Sequence, residues 1–142
     1  MTLIMDQEFT VQKDDFANAG KVSSSIRRQL KILGVRADVI RRIGVASYES
    51  EINMIIHAYG GVVRLEVEDD GYIRIIFKDD GPGIPDLEKA MTPGWSTASE
   101  QAREMGFGAG MGLPNIKRVS DDFDIVTAPE GTTITLGFRE GE

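Results

Sequence analysis

Cysteine is absent from the 142 residues, which removes disulfides, thiolate zinc sites and cysteine nucleophiles together. Histidine is nearly absent: His57 stands alone and leaves no histidine cluster to hold a metal. No apolar run approaches the roughly 18 residues that a membrane helix needs. The opening MTLIMDQEFT carries acid where a signal peptide carries base. Basic residues are outnumbered, 16 Lys and Arg against 23 Asp and Glu, for a net charge of -7. No long Lys/Arg cluster offsets that balance, so most of the surface repels a phosphate backbone. Neither a nucleic acid nor a membrane is an expected partner, and the reading is a soluble cytoplasmic protein. Repeats, low-complexity tracts and Pro/Gly/Ser linkers are missing too, so residues 1–142 read as one domain with one ordinary core.

What is present is a change of hydrophobic period along the chain. Glu8 to Gln12 reads as a short strand. Asp14 or Asp15 then offers an N-cap to a helix whose apolar positions Phe16, Ala19, Val22, Ile26, Leu30 and Leu33 recur every three or four residues, with Gly34 as its stop. A second helix is predicted from about Arg36 to His57, its core face formed by Val45, Tyr48, Ile52, Ile55 and Tyr59. The period then becomes two. Val63, Leu65 and Val67 alternate with charged residues, Asp69-Asp70-Gly71 turns, and Ile73, Ile75 and Phe77 resume the alternation as a hairpin. A short helix near Asp86 to Met91, a helix at about Gly112 to Ser120, and strands at Phe123 to Thr127 and Thr132 to Phe138 follow. The architecture implied is α+β in two layers. The glycine-rich stretch from Asp79 to Gly112 is long for a connection in a compact domain, and loops of that length are usually functional.

Three stretches carry chemistry. Glu49 and Asn53 stand one helical turn apart on the same side of the second helix. A carboxylate there can orient a water or hydroxyl, and an amide oxygen can ligate a hard cation such as Mg²⁺. Alone, the pair is weak evidence, and a solvated helix face that also carries Glu51 is the favoured reading. Asp79-Asp80-Gly81-Pro82-Gly83-Ile84 follows a strand directly, so its glycines allow close approach of a flat ligand and Asp79 can accept from an exocyclic amine; a tight turn is the alternative. Gly106, Gly108, Gly110 and Gly112 expose successive backbone N–H groups before a helix N-terminus, a combination suited to a polyphosphate. It is neither a Walker pattern nor a dinucleotide fingerprint, and a flexible linker is the other reading.

In this order the stretches resemble the nucleotide-binding boxes of the GHKL ATPase superfamily, the Bergerat fold: SYESEINMIIHAY the N box, KDDGPGIPD and GAGMGLPNIKRV the two glycine boxes, GTTITL the terminal strand. The fold implied is a two-layer α/β sandwich, an antiparallel or mixed sheet covered by helices on one face. DDGPGIPDLEKAM, GWSTAS and GMGLPNIKRVSDDFDI look most like the bacterial serine/threonine kinases of partner-switching modules. The resemblance implies ATP and Mg²⁺ as cofactors, with Glu49 as general base and Asn53 holding the metal. It implies Asp79 on the adenine amine with help from Thr132, Gly81 and Gly83 beside the base, and Gly108, Gly110 and Gly112 on the phosphates. Thr92 to about Phe107 would be an ATP lid, longer and more charged than in the short switch kinases. In it Arg103 reads as solvated, with a clamp on the terminal phosphate as the alternative, and Trp95 as packing the lid base. The implied partner is a STAS-domain antagonist as protein substrate, with a sigma factor, a phosphatase and a second copy of the chain as further candidates. The competing function is an anti-sigma factor that sequesters a sigma factor, with ATP as a conformational ligand. His57 lies inside the nucleotide box with no dimerising phosphoacceptor helix pair, so a histidine autokinase role is rejected.

Overall fold

Alternating strands and amphipathic helices build the core from one side. The computed structural model describes residues 2–84, 86–92 and 112–139. Its elements are β1 (Leu3–Val11), a 3₁₀ turn at Phe16–Asn18, α1 (Lys21–Ile32), α2 (Ala37–His57), β2 (Gly61–Glu68), β3 (Ile73–Asp79), α3 (Leu87–Ala90), α4 (Gly112–Val119), β4 (Asp122–Ala128) and β5 (Gly131–Phe138). The strands form one sheet in the order β1-β2-β3-β5-β4, every neighbouring pair antiparallel, so the sheet is antiparallel rather than mixed.

Period-two alternation sends Val63, Leu65, Val67, Ile73, Ile75, Phe77, Ile134, Leu136 and Phe138 to one face. There they share a single buried cluster with Ile26, Leu30, Ile43, Ile55 and Ile116 of the helices. The other face is charged. Arg64 pairs with Asp6 at 2.9 Å, and Arg74 pairs with Glu66 and Glu68 at 3.0 Å each.

β1 is longer than its sequence signal because pairing along β2, from Val11 opposite Gly61 to Leu3 opposite Glu68, carries it through the polar Asp6, Gln7 and Glu8. The expected cap at Asp14 or Asp15 is corrected. α1 starts only at Lys21, behind Gly20 at φ 92°, and the carboxylate of Glu51 on α2 caps it, accepting from the N–H groups of Gly20 (3.0 Å), Val22 (3.4 Å) and Ser23 (3.0 Å). Asp14 turns away at φ 58° and its N–H donates to the Ile55 carbonyl. Gly34 ends α1 as expected, at φ 84° in a Schellman arrangement with the Val35 N–H on the Leu30 carbonyl.

The predicted core face of α2 also needs correction. Ile52 and Ile55 are buried, but Val45 (39% exposed), Tyr48 (37%) and Tyr59 (58%) are not. α2 packs against α1 on one flank, α4 on another and the sheet beneath. Its buried surface therefore spreads over Val39, Ile43, Ala46, Ser47, Ser50, Glu51 and Met54. Ser47 and Ser50 are tolerated inside because their hydroxyls donate one turn back, to the Ile43 and Ala46 carbonyls.

Candidate functional site

The middle of α2 and the start of α4 come together at Gly112. A Cβ on this glycine would stand 3.2 Å from Asn53 Oδ1 and 3.3 Å from Glu49 Oε2. The one-turn spacing read from the sequence therefore aims both side chains at the N-terminus of an eight-residue helix. That terminus presents backbone N–H groups without intrahelical partners and the positive end of the helix dipole. Glu49 is half-buried, and burial pushes its carboxyl above the ordinary glutamate value. Asn53 contributes a hard oxygen donor. Among the described residues no group of three or more His, Cys, Asp or Glu side chains is placed to hold a metal ion. One amide oxygen is nonetheless the kind of protein ligand that suits Mg²⁺, which keeps several waters and takes phosphate oxygens.

Asp79, the last residue of β3, is fixed by the main chain. Its Oδ1 accepts from the N–H of Gly81 (3.0 Å) and from the N–H of Thr132 in β5 (2.9 Å). Among the described residues nothing donates to Oδ2, so that oxygen remains to accept from a ligand. Thr132 is buried, its hydroxyl hydrogen-bonded to that of Thr127 at 2.8 Å, and the Thr127 hydroxyl in turn accepts from the Ile84 N–H at 2.7 Å. The loop after β3 is thereby clipped to the β4–β5 hairpin. Its glycines have a packing reason: a Cβ on Gly83 would stand 2.1 Å from the Ala128 carbonyl oxygen, and one on Gly81 3.0 Å from that of Pro129.

The structure thus groups Glu49, Asn53 and Gly112, and separately Asp79, Gly81, Gly83 and Thr132. Gly108, Gly110, Trp95, Arg103 and most of the predicted lid lie outside the described residues. Burial pushes the His57 imidazole down, toward its neutral form, at the last turn of α2.

Two features escaped the sequence. Glu51 is 2% exposed, a buried cap and not part of a solvated face; a signal was available, since α1 has no acid in its first turn and no side-chain cap of its own. The second is a groove between α1 and α2, lined by Arg27, Arg41, Gly44, Val45, Tyr48 and Glu49 among others. No hydrophobic period marks it.

Residues 13–138 match the family model of the histidine kinase-like ATPase domain. The chain belongs to this family. The serine/threonine-protein kinase RsbT of Bacillus subtilis is 38% identical to this ATPase-family chain over 112 residues, 76% of this chain and 78% of that protein. The anti-sigma F factor of Bacillus licheniformis is 35% identical over 105 residues, 70% of this chain and 68% of that protein. The fold is shared with the RsbU and RsbW domains of Rv1364c from Mycobacterium tuberculosis (TM-score 0.62, 21% identity, 94% of this chain), of which the chain spans about a third (32%). It is shared as well with the SiaB–SiaC complex from Pseudomonas aeruginosa (TM-score 0.59, 11% identity, 96% of this chain and 91% of that one). Among the described residues no helix of this family member is long and apolar enough to cross a membrane.

Proposed function

We propose that this ATPase-family protein is a serine/threonine protein kinase that moves the terminal phosphoryl group of ATP to a hydroxyl on a STAS-domain antagonist in a bacterial partner-switching pathway. The observation that carries the reading is the convergence of the Glu49 carboxylate and the Asn53 amide on the first residue of α4. Phosphoryl transfer needs positioning and neutralisation of charge more than covalent help from the protein. Asp79 Oδ2 accepts from the adenine amine, the carboxylate held in place by Gly81 and Thr132. The N–H groups at the start of α4 would meet the phosphates, and the absence of a side chain on Gly112 keeps that approach open; Gly108 and Gly110, assigned to the phosphates by the resemblance, lie outside the described residues. Asn53 Oδ1 would hold Mg²⁺, which supplies neutralisation of phosphate charge when bound. Glu49 takes the proton of the acceptor hydroxyl; its raised carboxyl makes it a stronger base than a solvated glutamate.

Similarity to an anti-sigma F factor favours a second reading, in which the protein sequesters a sigma factor and ATP is a conformational ligand. Both use the same nucleotide site. Incubation with labelled ATP, Mg²⁺ and candidate STAS-domain proteins tests the first: label is expected on a serine or threonine of the partner. Sigma-factor capture that needs nucleotide, with no label transferred to any STAS protein, selects the second.

A further inference from the structure

Glu49 belongs to two surfaces. Its Oε2 lies near Gly112 of α4, and the same side chain lines the groove between α1 and α2. If nucleotide phosphates occupy the α4 side, a chain bringing a hydroxyl within hydrogen-bonding reach of Glu49 must cross the groove. The groove encloses about 380 Å³, the scale of a site for a few side chains. Its lining carries two arginines and one glutamate. The molecule carries -7, and Arg36, Arg42, Arg64, Arg74 and Arg139 are each paired with a carboxylate. Among the described residues, Arg27, Arg28, Arg41 and Arg118 form no ion pair, and of these four Arg27 and Arg41 line the groove. The stem of Arg27 is laid along Gly44, its Cδ 2.8 Å from where a Cβ on that glycine would stand, and the residue lines the cleft. Between the arginines and Glu49 the apolar faces of Val45 and Tyr48 stay exposed although they lie on the central helix of the fold.

We propose that this groove docks the protein substrate and selects an acidic segment flanking its phosphoacceptor hydroxyl. The proposal rests on the kinase reading above and adds the chemistry of the substrate to it. Two guanidinium forks unpaired by the chain's own acids match carboxylates in both charge and geometry. Val45 and Tyr48 supply the apolar floor, and Glu49 closes the end where the hydroxyl arrives.

Two serine-centred peptides test it, one flanked by glutamates and one by glutamines, each titrated into protein saturated with Mg²⁺ and a non-hydrolysable ATP analogue. The glutamate peptide is expected to bind about tenfold more tightly. The double substitution Arg27→Gln with Arg41→Gln should abolish that preference, while Arg27→Lys with Arg41→Lys restores only the part that charge carries without the fork geometry. Arg28→Gln, which removes one neighbouring charge from α1 outside the groove, should leave it intact. Equal binding of the two peptides, binding of neither, or a preference that survives the double glutamine variant overturns the docking proposal. Transfer assays with ATP keep the two readings apart. Label on a STAS-domain serine without an acidic preference retains the kinase and loses the groove. A preference that depends on Arg27 and Arg41, with no label on either peptide or any STAS protein, retains the groove and overturns the kinase.

Discussion

The N–H of Thr132 donates to Oδ1 of Asp79 at 2.9 Å, so the one oxygen that the main chain occupies fixes the direction of the other. Asp79→Asn keeps an Oδ1 for Thr132 and Gly81 but turns the outward oxygen into an amide donor, facing the adenine amine with a like group. ATP affinity should fall by about 1 to 3 kcal/mol, the cost of an unpaired buried polar group, with the melting temperature nearly unchanged. GTP presents a carbonyl where adenine has its amine and should bind more weakly than ATP to the wild type by a similar amount. Calorimetry with both nucleotides reads this, and equal affinities remove Asp79 from base recognition.

Glu49→Gln separates chemistry from binding. Phosphoryl transfer should fall by about 10² to 10⁴, with Mg²⁺-ATP affinity kept within a few-fold. Asn53→Ala should lose Mg²⁺-dependent nucleotide binding together with transfer. Single-turnover assays run beside nucleotide titrations decide this; unchanged transfer in Glu49→Gln takes the residue out of the mechanism.

The same substitution has a stability signature. Burial raises the Glu49 carboxyl in the folded state, so its contribution to stability is full below the ordinary value of 4.5 and is lost as pH rises through the higher folded value. Glu49→Gln carries no such loss. The variant should melt above the wild type at neutral pH, and the gap should close as pH falls toward 4.5. Parallel melting curves that keep a constant separation across that window contradict the assignment.

Glu51→Ala should cost about 1 to 3 kcal/mol of folding stability, because the N–H groups of Gly20, Val22 and Ser23 lose their acceptor inside the protein. Chemical denaturation measures it. A loss under 0.5 kcal/mol, the usual size of a surface change, would mean that water replaces the carboxylate.

Gly83→Ala should destabilise the fold and weaken ATP binding together, since the new methyl meets the Ala128 carbonyl and one backbone must move, at about 1 to 3 kcal/mol. Denaturation and nucleotide titration on one sample show whether the two losses travel together.

Where one face of an element meets one neighbour, the sequence was readable. The alternation through Val63, Leu65, Val67 and through Ile73, Ile75, Phe77 located β2 and β3, and Gly34 marked the end of α1. The spacing of Glu49 and Asn53 foretold that they share a side, though not that Gly112 lies against them, because that contact spans 59 residues. The reading failed where an element is surrounded. α2 packs on several sides, so its buried serines and Glu51 do not follow a single apolar stripe, and Val45 and Tyr48 escape it. The cap of α1 failed for a related reason: the acceptor comes from 28 to 31 residues away, whereas a local rule looks only at Asp14 and Asp15.

β5 is the last strand in the chain yet lies between β3 and β4 in the sheet. During synthesis, β3 therefore leaves the ribosome as an open edge, with Ile73, Ile75 and Phe77 unsupported on one side and Asp79 without its Thr132 donor. The sheet closes only when β5 pairs with β3, bringing β4 with it as the outer strand of their hairpin. The edge of β3 is consequently open to pairing until β5 has been translated. The adenine recognition proposed for Asp79 waits on the same hairpin, whose Thr132 supplies the N–H that fixes the carboxylate. A nucleotide that binds the folded state alone would then act by mass action as a lock on the docked hairpin.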